Sequence, residues 1–124
     1  MLDSSVLIDY FRNPNKAESR LVEISQQFSS LFISSITEFE IFNGATSIQT
    51  DFWNQLLKEI TVLPFDSSAA RMAVKIETQL KKHRKSIDTA DLFIAAVAVS
   101  NGLVLDTLNR KHFVQIELLK LLEI

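Results

Sequence analysis

The sequence has no cysteine, only two glycines and two prolines in 124 residues, and no long apolar run. Without cysteine the chain forms no disulfide and no thiolate metal site, which fits a reducing cytoplasm. The longest apolar stretch, from Leu92 to Val99, is too short to span a bilayer. The first residues, Met1–Asp3, lack the basic segment that opens a signal peptide. We therefore expect a cytoplasmic protein with no membrane partner.

An excess of positive charge is missing too. The formal net charge is −2 and the isoelectric point is about 5.6, so any affinity for nucleic acid must come from a local patch. Hydrophobic residues make up 47% of the chain, which is enough for a single core at this length. No repeat, low-complexity segment or linker divides the sequence. We predict a single domain over residues 1–124.

Short apolar stretches alternate with segments of helical periodicity. The predicted strands are Leu31–Ile33, Thr61–Leu63 and Leu103–Leu105, with Met1–Leu2 as the remnant of an earlier strand. The predicted helices carry the apolar stripes Ala17, Leu21, Ile24, Phe28; Ile48, Phe52, Leu56, Ile60; and Ala69, Met72, Ala73, Ile76, Leu80 after an N-cap at Asp66. A nearly all-apolar helix runs from about Thr89 to Val99 and stops at Asn101–Gly102. This alternation predicts an α/β fold with a mostly parallel sheet flanked by helices.

Three carboxylates lie where such a sheet binds its ligands, beyond the carboxyl ends of its strands. Asp3 follows the first strand, Glu40 lies in the first turns after the second, and Asp91 opens the most apolar helix. Taken singly, Asp3 is better explained as an N-cap, and Asp91 could complete a cap with Asp88 as the N-cap. Glu40 could be a partly exposed helix residue, although its apolar neighbours disfavour that explanation. Taken together, clustered carboxylates need a compensating cation. An all-oxygen set suits Mg²⁺ or Mn²⁺.

The stretch "SITEFEIFNG" contains two glutamates that a helix turns in nearly opposite directions. Glu38, beside Thr37, is expected to be the solvated one. Glu40 is then expected to turn inward. Gly44, one turn later on the same face, is expected to make room for a close approach.

Four motifs in order resemble the PIN domain, specifically the VapC-type toxins of prokaryotic toxin–antitoxin pairs. "MLDSSVLIDYFRN" resembles the opening hydrophobic-Asp-(Ser/Thr) motif, and "SSITEFEIFNGA" resembles Thr-x-x-Glu-hydrophobic-x-x-Gly. "IDTADLFIAAVAVSNGLVL" resembles the Asp-hydrophobic-x-Ile-Ala-Ala segment, and "DTLNRKHF" resembles Thr-x-Asn-x-x-(Asp/His)-Phe. The resemblance covers nearly the whole chain, and it selects Glu40 rather than Glu38.

The resemblance implies a metal-dependent endoribonuclease that hydrolyses RNA with Mg²⁺ or Mn²⁺. It assigns the catalytic and metal-binding acids to Asp3, Glu40 and Asp91, with supporting polar groups at Ser5, Thr37, Thr107 and Asn109. The chain departs from the pattern twice, with Ser5 where many relatives have Asn and His112 where many have a fourth acid. Asn109, Asp106 or His112 could take the fourth position.

The resemblance also implies partners, namely an RNA substrate, a cognate antitoxin and a second copy of the chain in a homodimer. Two alternatives remain open: a housekeeping RNA-processing PIN nuclease without an antitoxin, and a catalytically silent PIN-like module that binds RNA or protein. An aspartyl-phosphate receiver is disfavoured, because Ser4–Ser5 stand where it would need a second acid.

The one local basic feature is the run from Lys81 to Lys85, which leads toward Asp91. Part of it is explained by the favourable placement of cations at a helix carboxyl terminus. The rest indicates a phosphate-binding rim beside the acidic site. The candidate substrate-binding residues are Lys82, Arg84, Lys85, Arg110 and Lys111.

Overall fold

A computed structural model describes residues 1–123. Seven α-helices lie within these residues, and two short strands pair in parallel with Phe32 opposite Thr61. The elements are α1 (Ser4–Arg12), α2 (Arg20–Ser25), β1 (Phe32–Ser34), α3 (Ser35–Phe42), α4 (Ser47–Leu56), β2 (Thr61–Leu63), α5 (Ser67–Lys82), α6 (Thr89–Ser100) and α7 (Arg110–Phe113). Short 3₁₀ turns cover Lys16–Glu18 and Leu57–Glu59.

Single parallel bridges extend the sheet beyond these two strands. The Leu2 N–H donates to the carbonyl of Phe32 at 2.7 Å, and Leu2 bridges Asp106 in parallel on its other side. Leu105 in turn bridges Leu121 in parallel. The chain therefore builds the sheet outward in one direction through β1 and β2, then returns to the other side of Leu2. The predicted mostly parallel α/β sheet is confirmed.

Alternate strand residues face two separate cores. Met1, Phe32 and Leu63 contact the core built mainly on α5 and α6, whereas their neighbours Leu2 and Ile33 contact the core that includes α1, α2 and α4. This is the alternation that a pleated strand imposes. The sheet is therefore covered by helices on both faces. Only its ends are left open for a site.

Two of the predicted helical stripes are partly wrong. The first stripe, from Ala17 to Phe28, is longer than the helix that forms there. Ser19 caps α2, so the helix begins after Ala17, and it ends at Ser25, which leaves Phe28 41% exposed. Ala17 is exposed in the preceding 3₁₀ turn. In α4, the capping box of Thr46 and Gln49 starts the helix so that Ile48 faces solvent, 83% exposed. The capping chemistry, rather than the apolar spacing, sets these boundaries.

Gly44 does not serve the role expected for it. A Cβ atom built on Gly44 meets nothing within 4 Å, so no close approach requires its small size. The residue follows α3 with φ at +82°, a left-handed conformation that favours glycine. Its function here is to turn the chain after the helix.

Among the described residues, no helix is long and apolar enough to cross a membrane.

Candidate active site

The carboxylate of Asp3 is held by side-chain hydroxyl groups rather than by a helix end. Asp3 occupies the N-cap position of α1, yet its side chain makes no capping hydrogen bond. Instead Asp3 Oδ2 accepts hydrogen bonds from Ser5 Oγ at 2.9 Å and Thr107 Oγ1 at 2.6 Å. Asp66 shows the contrast, because its carboxylate does cap α5 by accepting from the N–H of Ala69. Capping therefore does not explain the buried side chain of Asp3.

Glu40 is tied to the same site by Ser4. The Ser4 hydroxyl donates to Glu40 Oε1 at 2.6 Å and lies 3.1 Å from the buried hydroxyl of Thr37. Glu38 instead lines a shallow groove with Phe39 and Phe42. The expected burial is wrong, however, since Glu40 is exposed and Glu38 is half-buried. Glu40 therefore lies at the rim of an open site and not inside the core.

Asp91 lies in the first turn of α6, close to the other acids. Burial raises the pKa of its carboxyl, and the charges of Asp3, Asp88 and Glu40 raise that pKa further, against a lowering contribution from His112. Asp88 occupies the N-cap position of α6 without a capping hydrogen bond. The expected cap by the Asp88 side chain is therefore wrong. Asp91 is a carboxylate whose charge the metal-free site disfavours.

Sequence reasoning missed Ser4, although Ser4 is the hydroxyl that joins α1 to Glu40. The signal was present, because the opening motif requires Ser or Thr directly after its Asp. Thr37 is fully buried within hydrogen-bonding distance of Ser34 as well as Ser4. The resulting row of hydroxyls forms the floor of the site between Asp3 and Glu40.

The three candidates for a fourth site residue lie in different surroundings. Asp106 is buried and forms two hydrogen bonds with the guanidinium of Arg20, at 2.7 and 2.9 Å, so its carboxylate is already engaged. Asn109 contacts the site through its backbone, whose N–H donates to Thr107 Oγ1 at 2.9 Å. His112 lies beside the acids, with Nδ1 3.3 Å from Asp91 Oδ2. Of the three candidates, His112 is the one whose side chain lies against Asp91.

The donor set suits a hard divalent cation. Asp3, Glu40 and Asp91 offer only oxygen, and within residues 1–123 no lysine or arginine forms an ion pair with any of them. In the same residues, no three acidic or histidine side chains converge closely enough to make a complete protein-only metal site. Mg²⁺ often binds through one or two carboxylates, several waters and substrate phosphate. The residues fit such a loosely held ion better than a closed cage.

The candidate substrate-binding residues are divided between two places. Lys111 lines a cleft of about 280 Å³ together with Asp91 and His112. Arg110 points elsewhere, toward Glu123 at 3.3 Å and the carbonyl of Leu122 at 3.0 Å. The remaining candidates, Lys82, Arg84 and Lys85, are exposed at the end of α5 and just beyond it.

Comparison with known proteins shows the family. The PIN domain family model matches residues 1–118. Ribonuclease VapC1 of Methanocaldococcus jannaschii is 35% identical over 91% of this chain and 77% of its own length. The tRNA(fMet)-specific endonuclease VapC of Shigella flexneri is 30% identical over 91% of this chain and 88% of its own.

A solved structure shares the fold over nearly its full length. The crystal structure of DNA-bound VapBC from Salmonella typhimurium superposes with a TM-score of 0.88 at 26% identity, covering 98% of this chain and 95% of that one. The family match, the identities and the shared fold agree with one another. The chain belongs to the PIN domain family, among the VapC ribonucleases.

Proposed function

We propose that the protein is an endoribonuclease that hydrolyses RNA phosphodiester bonds at Asp3, Glu40 and Asp91 with Mg²⁺ or Mn²⁺. The observation that carries the proposal is that the neighbouring hydroxyls of Ser4 and Ser5 hold Glu40 and Asp3, whose charges raise the pKa of Asp91. No lysine or arginine among residues 1–123 pairs with any of the three acids. Relatives at 30–35% identity are named as ribonucleases or as an endonuclease.

Each acid has a distinct task that follows from its surroundings. A divalent ion bound there supplies a water that is nucleophilic near neutral pH and neutralises charge on the phosphate. Asp3 would be a metal ligand of fixed orientation, since two hydroxyls hold its Oδ2. Asp91 would be the second ligand. Glu40, whose Oε1 accepts from Ser4, would bind a second ion or orient the attacking water.

The two glutamates of α3 supply a matched test. Glu40→Gln should reduce RNA cleavage by at least about 100-fold, the upper end of the loss caused by mutating an outer-shell partner of a metal, because the amide lacks the charge that balances the cation. Glu38→Gln should change cleavage little, since Glu38 lines a different groove. The measurement is cleavage of labelled RNA in Mn²⁺, with a tRNA among the substrates because one relative is named for tRNA(fMet). Equal losses in both variants, or full activity in Glu40→Gln, would refute the assignment of Glu40.

We further propose that the chain is the toxin of a type II toxin–antitoxin pair, works in the cytoplasm and forms a homodimer. The Salmonella typhimurium structure is of VapBC, and a related VapBC structure is described as a toxin–antitoxin system. The cluster of acids indicates how an antitoxin could block the site. An arginine or lysine of the antitoxin would insert among Asp3, Glu40 and Asp91 and compete with the metal.

This gives a second prediction, on the partner. Co-expression with the small protein encoded next to it should yield a stable complex and relieve growth inhibition by the toxin. Adding Mn²⁺ to the purified complex should favour release, whereas Asp3→Asn should weaken the complex. A neighbour that neither copurifies nor restores growth leaves a housekeeping nuclease as the better account.

A catalytically silent module is the second candidate. It is favoured by one observation: no three acidic or histidine groups in residues 1–123 converge into a complete metal site. The two candidates differ in the cleavage assay above. A silent module binds RNA and leaves it intact at every Mn²⁺ concentration.

A further inference from the structure

The turn that follows α5 places an arginine in an unfavourable backbone conformation. Arg84 has φ at +54°, and it is the one non-glycine residue with positive φ in residues 1–123. The N–H of Lys85 donates to the carbonyl of Leu80 at 2.9 Å, and the N–H of Arg84 donates to that of Lys81 at 3.0 Å. This is a Schellman ending, in which glycine is the usual residue at the left-handed position. An L side chain is disfavoured there because its Cβ crowds the backbone.

The basic residues of this turn differ in whether an acidic partner lies close to them. Lys81 lies 4.0 Å from Glu77, and His83 lies 3.6 Å from Glu117. In the described part of the chain, the other three basic residues of the run form no ion pair, and all three are exposed: Lys82, Arg84 and Lys85. Repulsion among these closely spaced cations adds to the free-energy cost of the left-handed backbone conformation at Arg84.

The turn leads directly into the cleft that holds Asp91. Ser86 and Asp88 line that cleft from one side, and Lys111 and His112 line it from the other. The Nε2 of Gln115 donates to the carbonyl of Ser86 at 2.9 Å and joins the two sides. Because two residues span at most about 7 Å, the backbone of Arg84 lies within that distance of Ser86. Arg84 and Lys85 therefore adjoin the lining of the acidic cleft along the chain, whereas Lys82 lines a separate groove with Glu117.

We propose that Arg84 and Lys85, called here the basic corner, bind backbone phosphates of the RNA whose scissile bond lies at Asp91. The inference rests on the proposed ribonuclease function and adds where the rest of the substrate runs. RNA leaves the acids through the cleft between Ser86 and Lys111 and crosses the corner. Phosphate is the partner that two unpaired, neighbouring cations fit best.

Two substitutions at Arg84 distinguish the effect of its side chain on RNA binding from the effect of its backbone conformation on stability. Arg84→Gly removes the side chain and the unfavourable conformation, so it should raise the melting temperature by about 4 °C. Arg84→Ala removes the side chain alone and should not give that gain. Both should weaken RNA binding several-fold. Both should also make the slope of log K, the binding constant, against log salt concentration less steep by about 0.7, the value for one lost phosphate contact with a single strand. Arg84→Lys should retain most of the affinity and the slope.

The experiment uses a fluorescein-labelled single-stranded RNA and measures anisotropy over a range of salt, with every variant built on Asp3→Asn to prevent cleavage. Lys58→Ala is the control, since Lys58 is an exposed cation in the turn before β2, away from the carboxyl ends of the strands. Unchanged affinity and slope in Arg84→Gly and Arg84→Ala would overturn the basic corner. Loss of antitoxin binding without loss of RNA binding would overturn it too, by assigning the surface to a protein.

This result is separable from the fate of the proposed ribonuclease. If wild type does not cleave RNA but the Arg84 variants still bind RNA more weakly, the basic corner is supported and the catalytic assignment is refuted. If wild type cleaves RNA and the Arg84 variants bind RNA like Lys58→Ala, the catalytic assignment is supported and the basic corner is refuted.

Discussion

Replacing Asp91 by asparagine is expected to abolish RNA cleavage and, at the same time, to raise the melting temperature of the metal-free protein. Asparagine keeps the shape of the side chain and removes a charge that burial and the neighbouring Asp3 make unfavourable. Cleavage should fall by at least about 100-fold, the upper end of the loss caused by mutating an outer-shell partner of a metal. A mere capping residue predicts the reverse for stability, a loss of about 1 kcal/mol.

The pH dependence of stability follows from the raised pKa of Asp91. The folded protein holds the Asp91 proton more tightly than the unfolded chain, mainly because of burial and then because of Asp3, Asp88 and Glu40. The stabilising contribution is therefore complete below the unfolded pKa of about 3.9 and is lost as pH rises through the folded pKa. Denaturation in chelator from pH 4 to neutral pH should show wild type losing more stability than Asp91→Asn.

Asp88→Asn is the matched control for activity. Asp88 is exposed, lies three residues before Asp91 and makes no capping hydrogen bond. The Asp88→Asn variant should keep its cleavage activity. Equal loss of activity in the two variants would show that the assay reports general negative charge near α6 and not a specific role of Asp91.

Replacing Arg20 by methionine is expected to destabilise the fold by about 3–5 kcal/mol, the cost of leaving a buried charge without its partner. The side chains of Arg20 and Asp106 are 16% and 5% exposed and share two hydrogen bonds. Asp106 also pairs through its backbone with Met1 and Asp3, so the loss occurs directly beneath the site. Chemical denaturation of both proteins measures the difference.

Two further variants identify the origin of that loss. Glu23→Gln removes the exposed ion pair that Arg20 makes at 3.2 Å on the same helix, and it should cost less than about 1 kcal/mol. The double variant Arg20→Met, Asp106→Leu replaces both charges by apolar groups and should recover most of the stability. A double variant no more stable than Arg20→Met would contradict the explanation by an unpaired charge.

Local chemistry made much of the helical structure predictable. The Asp66 cap and the stripe that follows it gave α5 correctly, and the apolar run before Asn101–Gly102 gave α6 to within one residue. Both helices bury a face or nearly their whole surface, so their periodicity reports their packing. The stripe of α4 failed at Ile48, where the cap rather than the core sets the helix orientation.

The motifs select the acids of the proposed site but do not predict the contacts around them. The motifs select Asp3 and Glu40, whereas the hydroxyl of Ser4 that holds Glu40 comes from 36 residues away. The pairing of Arg20 with Asp106 spans 86 residues and removes one candidate for the fourth position. Contacts of this kind depend on the order of the strands, and strand order leaves no trace in periodicity.

The most direct test of the carboxylate site is a thermal melt of wild type and Asp91→Asn, each with chelator and with several millimolar Mn²⁺. A metal that binds the folded state raises the melting temperature by mass action. We expect Mn²⁺ to stabilise wild type strongly and Asp91→Asn much less, with the variant the more stable of the two in chelator. A wild type indifferent to Mn²⁺, together with a variant less stable in chelator, would contradict the account and reduce Asp91 to a structural residue of α6.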